Sequence, residues 1–282
     1  MEFVKDMIRG IAIGVANIIP GVSGGTMMVA MGIYDEMIGA VTGIFRHMKQ
    51  SIRTLFPYAV GMGIGIVGLS FVIGYLFEHY PFQTALLFIG LIFGGLPLLL
   101  PKVKGRRPKP AELLVFALFF GLIVGMQFLG TGKEKVLSLE PETVFVLLFI
   151  GLVAAATMVI PGVSGSMLLM ALGYYTPIID HINAFIVALV MADFGTLIYC
   201  AGILVPFGIG VLAGAFLVAK LIEFLLKNYE RMTYFAILGL LFSSPVAILS
   251  GMDLSGTGVW AVLAGILLFG VGMIAASLLG KE

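Results

Sequence analysis

Pro-Gly-Val-Ser-Gly stands twice in this chain, at 20–24 and at 161–165, each time inside a run of apolar residues. Proline removes a backbone donor and glycine admits unusual dihedrals, so each copy breaks a helix. Inside a bilayer the freed N–H and C=O groups are costly unless protein or a polar cavity satisfies them, so two such breaks restrict the fold severely. The surroundings repeat as well. With Pro20 set on Pro161, an offset of 141, nine of the 16 positions in 19–34 are identical to those in 160–175. Two copies broken at the same place point to a transporter whose site lies at the breaks.

Composition places those breaks in a membrane. Of the 282 residues, 60% are hydrophobic and 11% are charged, and the mean hydropathy is +1.14; soluble domains carry about 25% charge. Long apolar runs cover roughly 57–77, 84–101, 111–130, 206–226, 233–250 and 257–279, each long enough to read as a span. The expected fold class is therefore an all-α polytopic membrane protein. Lys5 and Arg9 precede the first apolar run, but no small-residue cleavage site leads into a polar mature chain, so no cleaved leader is expected. The single cysteine, Cys200, excludes an internal disulfide and a cysteine-based metal site. A net charge of +1 argues against a nucleic-acid partner.

The repeat continues past the motif at a new offset of 149. Pro57, Gly61, Gly65, Tyr80, Thr84, Gly90 and Phe93 then meet Pro206, Gly210, Gly214, Tyr229, Thr233, Gly239 and Phe242, so the second half carries eight extra residues before this block. Basic residues invert between the halves. The loops at 46–53 and 101–110 are rich in Lys and Arg, which marks them as cytoplasmic. Their counterparts near 176–183 and 250–257 have neither, whereas 227–232 has Lys227 and Arg231 where 78–83 has none. The simplest architecture is two inverted-topology repeats, each a re-entrant helical hairpin plus about three transmembrane helices. Repeat 1 spans 1–135, with its hairpin at 7–45 and tip at 20–26. Repeat 2 spans 136–282, with its hairpin at 145–180 and tip at 161–166, the two forming one structural domain. The N-terminus is expected in the cytoplasm. The apolar segment 183–204 reads as a tilted or interfacial helix, like its amphipathic counterpart at 40–56.

At each tip a new helix is expected to begin, at Ser23-Gly24-Gly25-Thr26 and at Ser164-Gly165-Ser166. Its first N–H groups have no intrahelical partner and favour anions, phosphate above all. The hydroxyls of Ser23, Thr26, Ser164 and Ser166 add donors. Candidate substrate-binding residues are Arg9, Asn17, Gly21, Ser23, Gly24, Gly25, Thr26, Gly162, Ser164, Gly165 and Ser166. Arg9 stands before the first tip as a cation for an anionic headgroup, and Asn17 can bond across the break. Asp193, in the apolar run, is a candidate for coupling, by carrying a proton or pairing with a cation. A plain kink at Pro-Gly is the competing reading for one copy; duplication is what argues against it. No catalytic set, metal cluster or cofactor motif is present: His47, His79 and His181 lack ligand spacing, and there is no Walker loop.

Ile-Pro-Gly-Val-Ser-Gly-Gly-Thr at 19–26, Gly-Ile-Tyr-Asp at 32–35, Ile-Pro-Gly-Val-Ser-Gly-Ser at 160–166 and Leu-Gly-Tyr-Tyr at 172–175 closely resemble the polyprenyl-phosphate transporter family, long catalogued as a domain of unknown function. The resemblance covers essentially the whole chain. It implies a multi-pass protein of a prokaryotic plasma membrane, not an enzyme, that flips a lipid carrier such as undecaprenyl phosphate from the outer to the inner leaflet for reuse in cell-envelope glycan synthesis. In archaeal members the carrier would be a dolichol-type phosphate. The expected partners are thus a lipid phosphate and the membrane, with Gly-rich faces that allow a homodimer. Two rivals differ in class. A channel or transporter for a small soluble anion would use the same tips with a closed aqueous path; a lipid phosphatase would need a nucleophile–base pair or metal cluster that the sequence lacks.

Overall fold

The computed structural model describes residues 2–18, 22–128, 130, 132–250, 252 and 257–280. Ile19, Pro20 and Gly21 of the first motif, and most of 250–257, lie outside them. The described residues are helical, with no strand among them. In order they form α1 (Glu2–Ile18), α2 (Gly24–Ala30), α3 (Tyr34–Thr42), α4 (Met48–His79), α5 (Pro81–Gly94), α6 (Leu96–Val103), α7 (Pro110–Met126), α8 (Pro141–Val159), α9 (Gly165–Ala171), α10 (Tyr175–Met191), α11 (Phe194–Ser250) and α12 (Val259–Leu279). Among the described residues, five helical stretches are long and apolar enough to cross a membrane, α5 with α6 counting as one (Pro81–Val103), or six if the pair α9–α10, bent by 110°, counts as one span.

Local structure repeats residue for residue. Ser23 and Ser164 are the N-caps of α2 and α9, their hydroxyls accepting from Thr26 and Met167 N–H. Both helices run seven residues and end at a glycine of positive φ, Gly32 (67°) and Gly173 (78°). There Ile33 N–H reaches back to Met28 O and Tyr174 N–H to Leu169 O, the closure that a left-handed glycine permits. The eight extra residues of the second half are also placed: α10 has 17 residues where α3 has nine. Tyr80 separates α4 from α5 at φ −135°, ψ 51°, and its counterpart Tyr229 breaks α11 at φ −135°, ψ 39°. Thr84 and Thr233 then each donate to the carbonyl of their own Tyr.

Two expectations about helix limits change. The segment 183–204 is not one tilted helix: α10 ends at Ala192, which has φ 55°, and α11 starts two residues later. The 40–56 segment is likewise split between α3 and α4. The run 84–101 keeps its expected character as part of one apolar span, Pro81–Val103, in which Gly95 separates α5 from α6 and Pro97 stands in the first turn of α6.

The chain divides into two compact units that do not follow the 135/136 boundary. The first contains Met1–Gln127, Ile160–Val163 and Ala219–Glu282; the second contains Phe128–Val159 and Ser164–Val218. The reason is an exchange of helices between repeats inside the first unit. α5 packs on α12, where Gly90 faces Phe269 O, while the α11 segment after Tyr229 packs on α7, where Gly239 faces Phe116 O. Gly90 and Gly239 are repeat counterparts. So are Phe93 and Phe242, whose rings meet edge to face at 5.6 Å. In the second unit, Leu137, Leu147, Ile150, Ile178 and Ile203 form the core, and Gly132 N–H and Lys135 N–H tie the inter-repeat connection to Met170 O and Gly173 O.

Candidate functional site

The described part of the first tip, 22–26, is tightly organised. Ser23 and Thr26 are buried, at 4% and 0% exposure. Their hydroxyl oxygens lie 3.0 Å apart, and Ser23 Oγ accepts from Thr26 N–H at 3.1 Å. Asn17, in the last turn of α1, accepts from Gly24 N–H through Oδ1 at 2.9 Å. Two of the peptide nitrogens expected to be free for an anion are therefore capped by the protein's own side chains. Gly24 has no room for more, since a Cβ would sit 2.9 Å from the Asn17 amide.

The turn 160–163 packs with the first unit, although the helices on either side of it belong to the second. Gly162 N–H donates to Ser23 Oγ at 2.9 Å and to Thr26 Oγ1 at 2.6 Å, and both bonds are buried. The two motifs thus touch, through residues 139 and 136 positions apart in the chain. Gly162 has φ +80°, and a Cβ on it would meet Leu240 O at 2.8 Å. Val163 is packed beside it with Ile123, Leu240 and Ala247.

In the second unit, Ser164 and Ser166 hydroxyls lie 3.1 Å apart and are half-buried. Thr157, in the last turn of α8, donates to Ala154 O and stands 2.6 Å from where a Gly165 Cβ would be. Sequence reasoning missed Thr157; its signal was its position one turn before the break, as with Asn17. No residue of α9 is fully buried, whereas six of the seven in α2 are. With only two turns each, α2 and α9 sum few peptide dipoles, so individual hydroxyls and N–H groups carry the tips' chemistry.

Arg9 and Asp193 each lie in a hydrogen-bonded network of their own. Arg9 is 2% exposed. Its Nη1 bonds Asp6 at 2.8 Å, and its Nε and Nη2 bond Leu279 O and Gly280 O at 2.8 and 3.2 Å. It closes the C-terminal end of α12, where a cation complements the helix dipole, and Asp6 in turn accepts from Tyr58 at 3.0 Å. The structure places it in that network rather than at the tip. Arg9→Gln should lower the melting temperature in detergent by removing a buried ion pair, a loss of about 3–5 kcal/mol.

Asp193 is exposed and caps α11, accepting from Thr196 Oγ1 at 2.7 Å and from Gly195 and Thr196 N–H. The Thr196 hydroxyl and these amides hold its carboxyl below the usual carboxylate range. It is ionised at neutral pH, and the cap is lost only as the pH falls through that lowered value. That behaviour suits a cap. Asp193→Asn should leave the pH profile of transport unchanged between pH 6 and 8, measured in vesicles.

A polar network in the first unit gathers charges that are distant in sequence. Lys102 pairs with Glu230 at 3.2 Å and with Asp35 at 3.7 Å, and Tyr234 donates to Asp35 at 2.7 Å. Arg106 and Arg231 both pair with Glu112, and Arg231 also donates to Arg106 O. Glu223 takes Lys220 and Lys227.

These features define a helical membrane protein with several apolar spans and, in each of its two units, a seven-residue helix capped by a serine. The chain is a member of the undecaprenyl phosphate translocase-like family, whose model matches residues 13–257. Curated relatives agree. A polyprenyl-phosphate transporter of Staphylococcus aureus is 28% identical, over 98% of this chain and 95% of its own length. Another of Vibrio cholerae is 27% identical, over 86% of this chain and 77% of its own. No solved structure matches the chain.

Proposed function

We propose that this protein flips a polyprenyl phosphate, undecaprenyl phosphate in a bacterial host, from the outer to the inner leaflet of the plasma membrane, returning it for cell-envelope glycan synthesis. The observation that carries the reading is the junction of the two motifs at Ser23, Thr26 and Gly162; family membership supports the substrate class. The energetic problem is the headgroup. A long isoprenoid tail can stay in lipid, while the phosphate must cross a layer where charge is expensive. Hydroxyl and amide donors of Ser23, Thr26 and Gly162 would shelter it without a fixed cation, so that it can leave again; Ser164 and Ser166 are the matching donors of the second unit.

In this reading the hairpins are re-entrant and enter from opposite faces. The N-terminus lies in the cytoplasm with the basic loop 101–110. Two features support a common side for the basic segments: Arg231 donates to Arg106 O, and Arg9 bonds the end of α12.

The test is flipping of a fluorescent polyprenyl phosphate in reconstituted vesicles. Hydrogen bonds to a charged group are worth about 1.5–3 kcal/mol each, so Ser23→Ala with Ser164→Ala should slow flipping about a hundredfold or more. Wild-type rates in that double variant would reject the site. Uptake of inorganic phosphate into the same vesicles would point to a soluble anion instead.

A further inference from the structure

We propose that the Ser23–Thr26–Gly162 contact is a latch in which the protein's own amide occupies the place of the ligand, so that latch and phosphate exclude each other. This rests on the phosphate reading above.

The argument is one of hydrogen-bond polarity. Ser23 Oγ accepts from Thr26 N–H and from Gly162 N–H, which fills both of its lone pairs. Its own proton then goes to Thr26 Oγ1 at 3.0 Å. Thr26 Oγ1 in turn accepts from Ser23 and shares the Gly162 proton at 2.6 Å. Both hydroxyls therefore point lone pairs at an N–H. A phosphate oxygen demands the reverse: hydroxyls that donate, and an amide free to donate with them. Loading must turn the Ser23 proton away from Thr26 and take the Gly162 proton, and the closed contact cannot persist while that happens.

The contact is also poised to reform. All three groups are dry, and an unpaired amide or hydroxyl in that place is costly. Gly162 is backed by Leu240 O, and Val163 sits in a packed cluster, so the turn has a fixed seat from which its amide faces the tip. An empty protein thus satisfies its donors internally instead of leaving a polar gap in the hydrocarbon layer. An incoming phosphate satisfies them in its place.

Pro-Gly occurs in this sequence only at 20–21 and 161–162. Labelling with carbonyl-13C proline and 15N glycine therefore gives two amide signals, and a Gly21→Ala variant identifies which is Gly162. In lipid-free protein in detergent, Thr26→Val should speed hydrogen exchange of the Gly162 amide by about fivefold or more, and Thr26→Ser should return it to the wild-type rate. Unchanged exchange in Thr26→Val overturns the latch. Adding decaprenyl phosphate to wild type should move the Gly162 amide proton signal downfield, while decaprenol should not. Faster exchange in the variant, with no phosphate-specific shift in wild type, leaves the contact standing but overturns the competition and the phosphate site on which it rests.

Discussion

Replacing Gly162 with Ala should reduce transport to background and lower the melting temperature of the detergent-solubilised protein. Two causes add. A φ of +80° suits glycine, and an L-residue there loses about 1–2 kcal/mol. The new methyl would also sit 2.8 Å from Leu240 O, a backbone atom that cannot swing aside. Any shift that relieves the clash moves the amide away from Ser23 and Thr26, which it now meets at 2.9 and 2.6 Å. Transport should therefore suffer more than stability. Gly105→Ala is the matched comparison. It also has positive φ, at 116°, but it faces open space, so it should show the backbone penalty alone and transport normally.

Gly61→Leu and Gly210→Leu should each prevent accumulation of folded protein, and by similar amounts. A Cβ on Gly61 would run into Met7 O of α1, and one on its counterpart Gly210 into Leu148 O of α8. Gly65 and Gly214 repeat the arrangement one turn on, against Ile11 and Leu152. Membrane helices gain little from hydrophobic exclusion, so close backbone approach supplies much of their association. Even a methyl at Gly61 should cost about 1–3 kcal/mol as overpacking. Gly63 and Gly208 have nothing within 4 Å, and Gly63→Ala and Gly208→Ala should be neutral or gain about 0.5–1 kcal/mol in helix preference. Folded yield by size-exclusion fluorescence, followed by melting temperature, measures both sets.

Much of this architecture can be read from residues whose spacing has a local cause. Apolar runs give the helices. Ser before Gly-rich starts and Gly after seven residues give the limits of α2 and α9. The shift of offset by eight residues foretells the longer α10. What stays hidden depends on distant partners. Gly90 and Gly94 announce a packing face, yet nothing local says that α12 fills it rather than α7. Arg9 reads as a cation near the first tip, because its true partners, Leu279 O and Gly280 O, lie some 270 residues away. Asp193 stands in an apolar run and so resembles a buried carboxylate, whereas Ala192 turns the chain there and exposes it. The tip amides read as free because nothing local says that the bond Asn17 can make across the break goes to the Gly24 N–H.

The most direct test is a structure of the protein with bound polyprenyl phosphate. The account predicts phosphate density within hydrogen-bonding reach of Ser23 Oγ, Thr26 Oγ1 and the Gly162 nitrogen, with the contact between Gly162 and the two hydroxyls broken. Phosphate density elsewhere, with Gly162 still resting on Ser23 and Thr26, would contradict it.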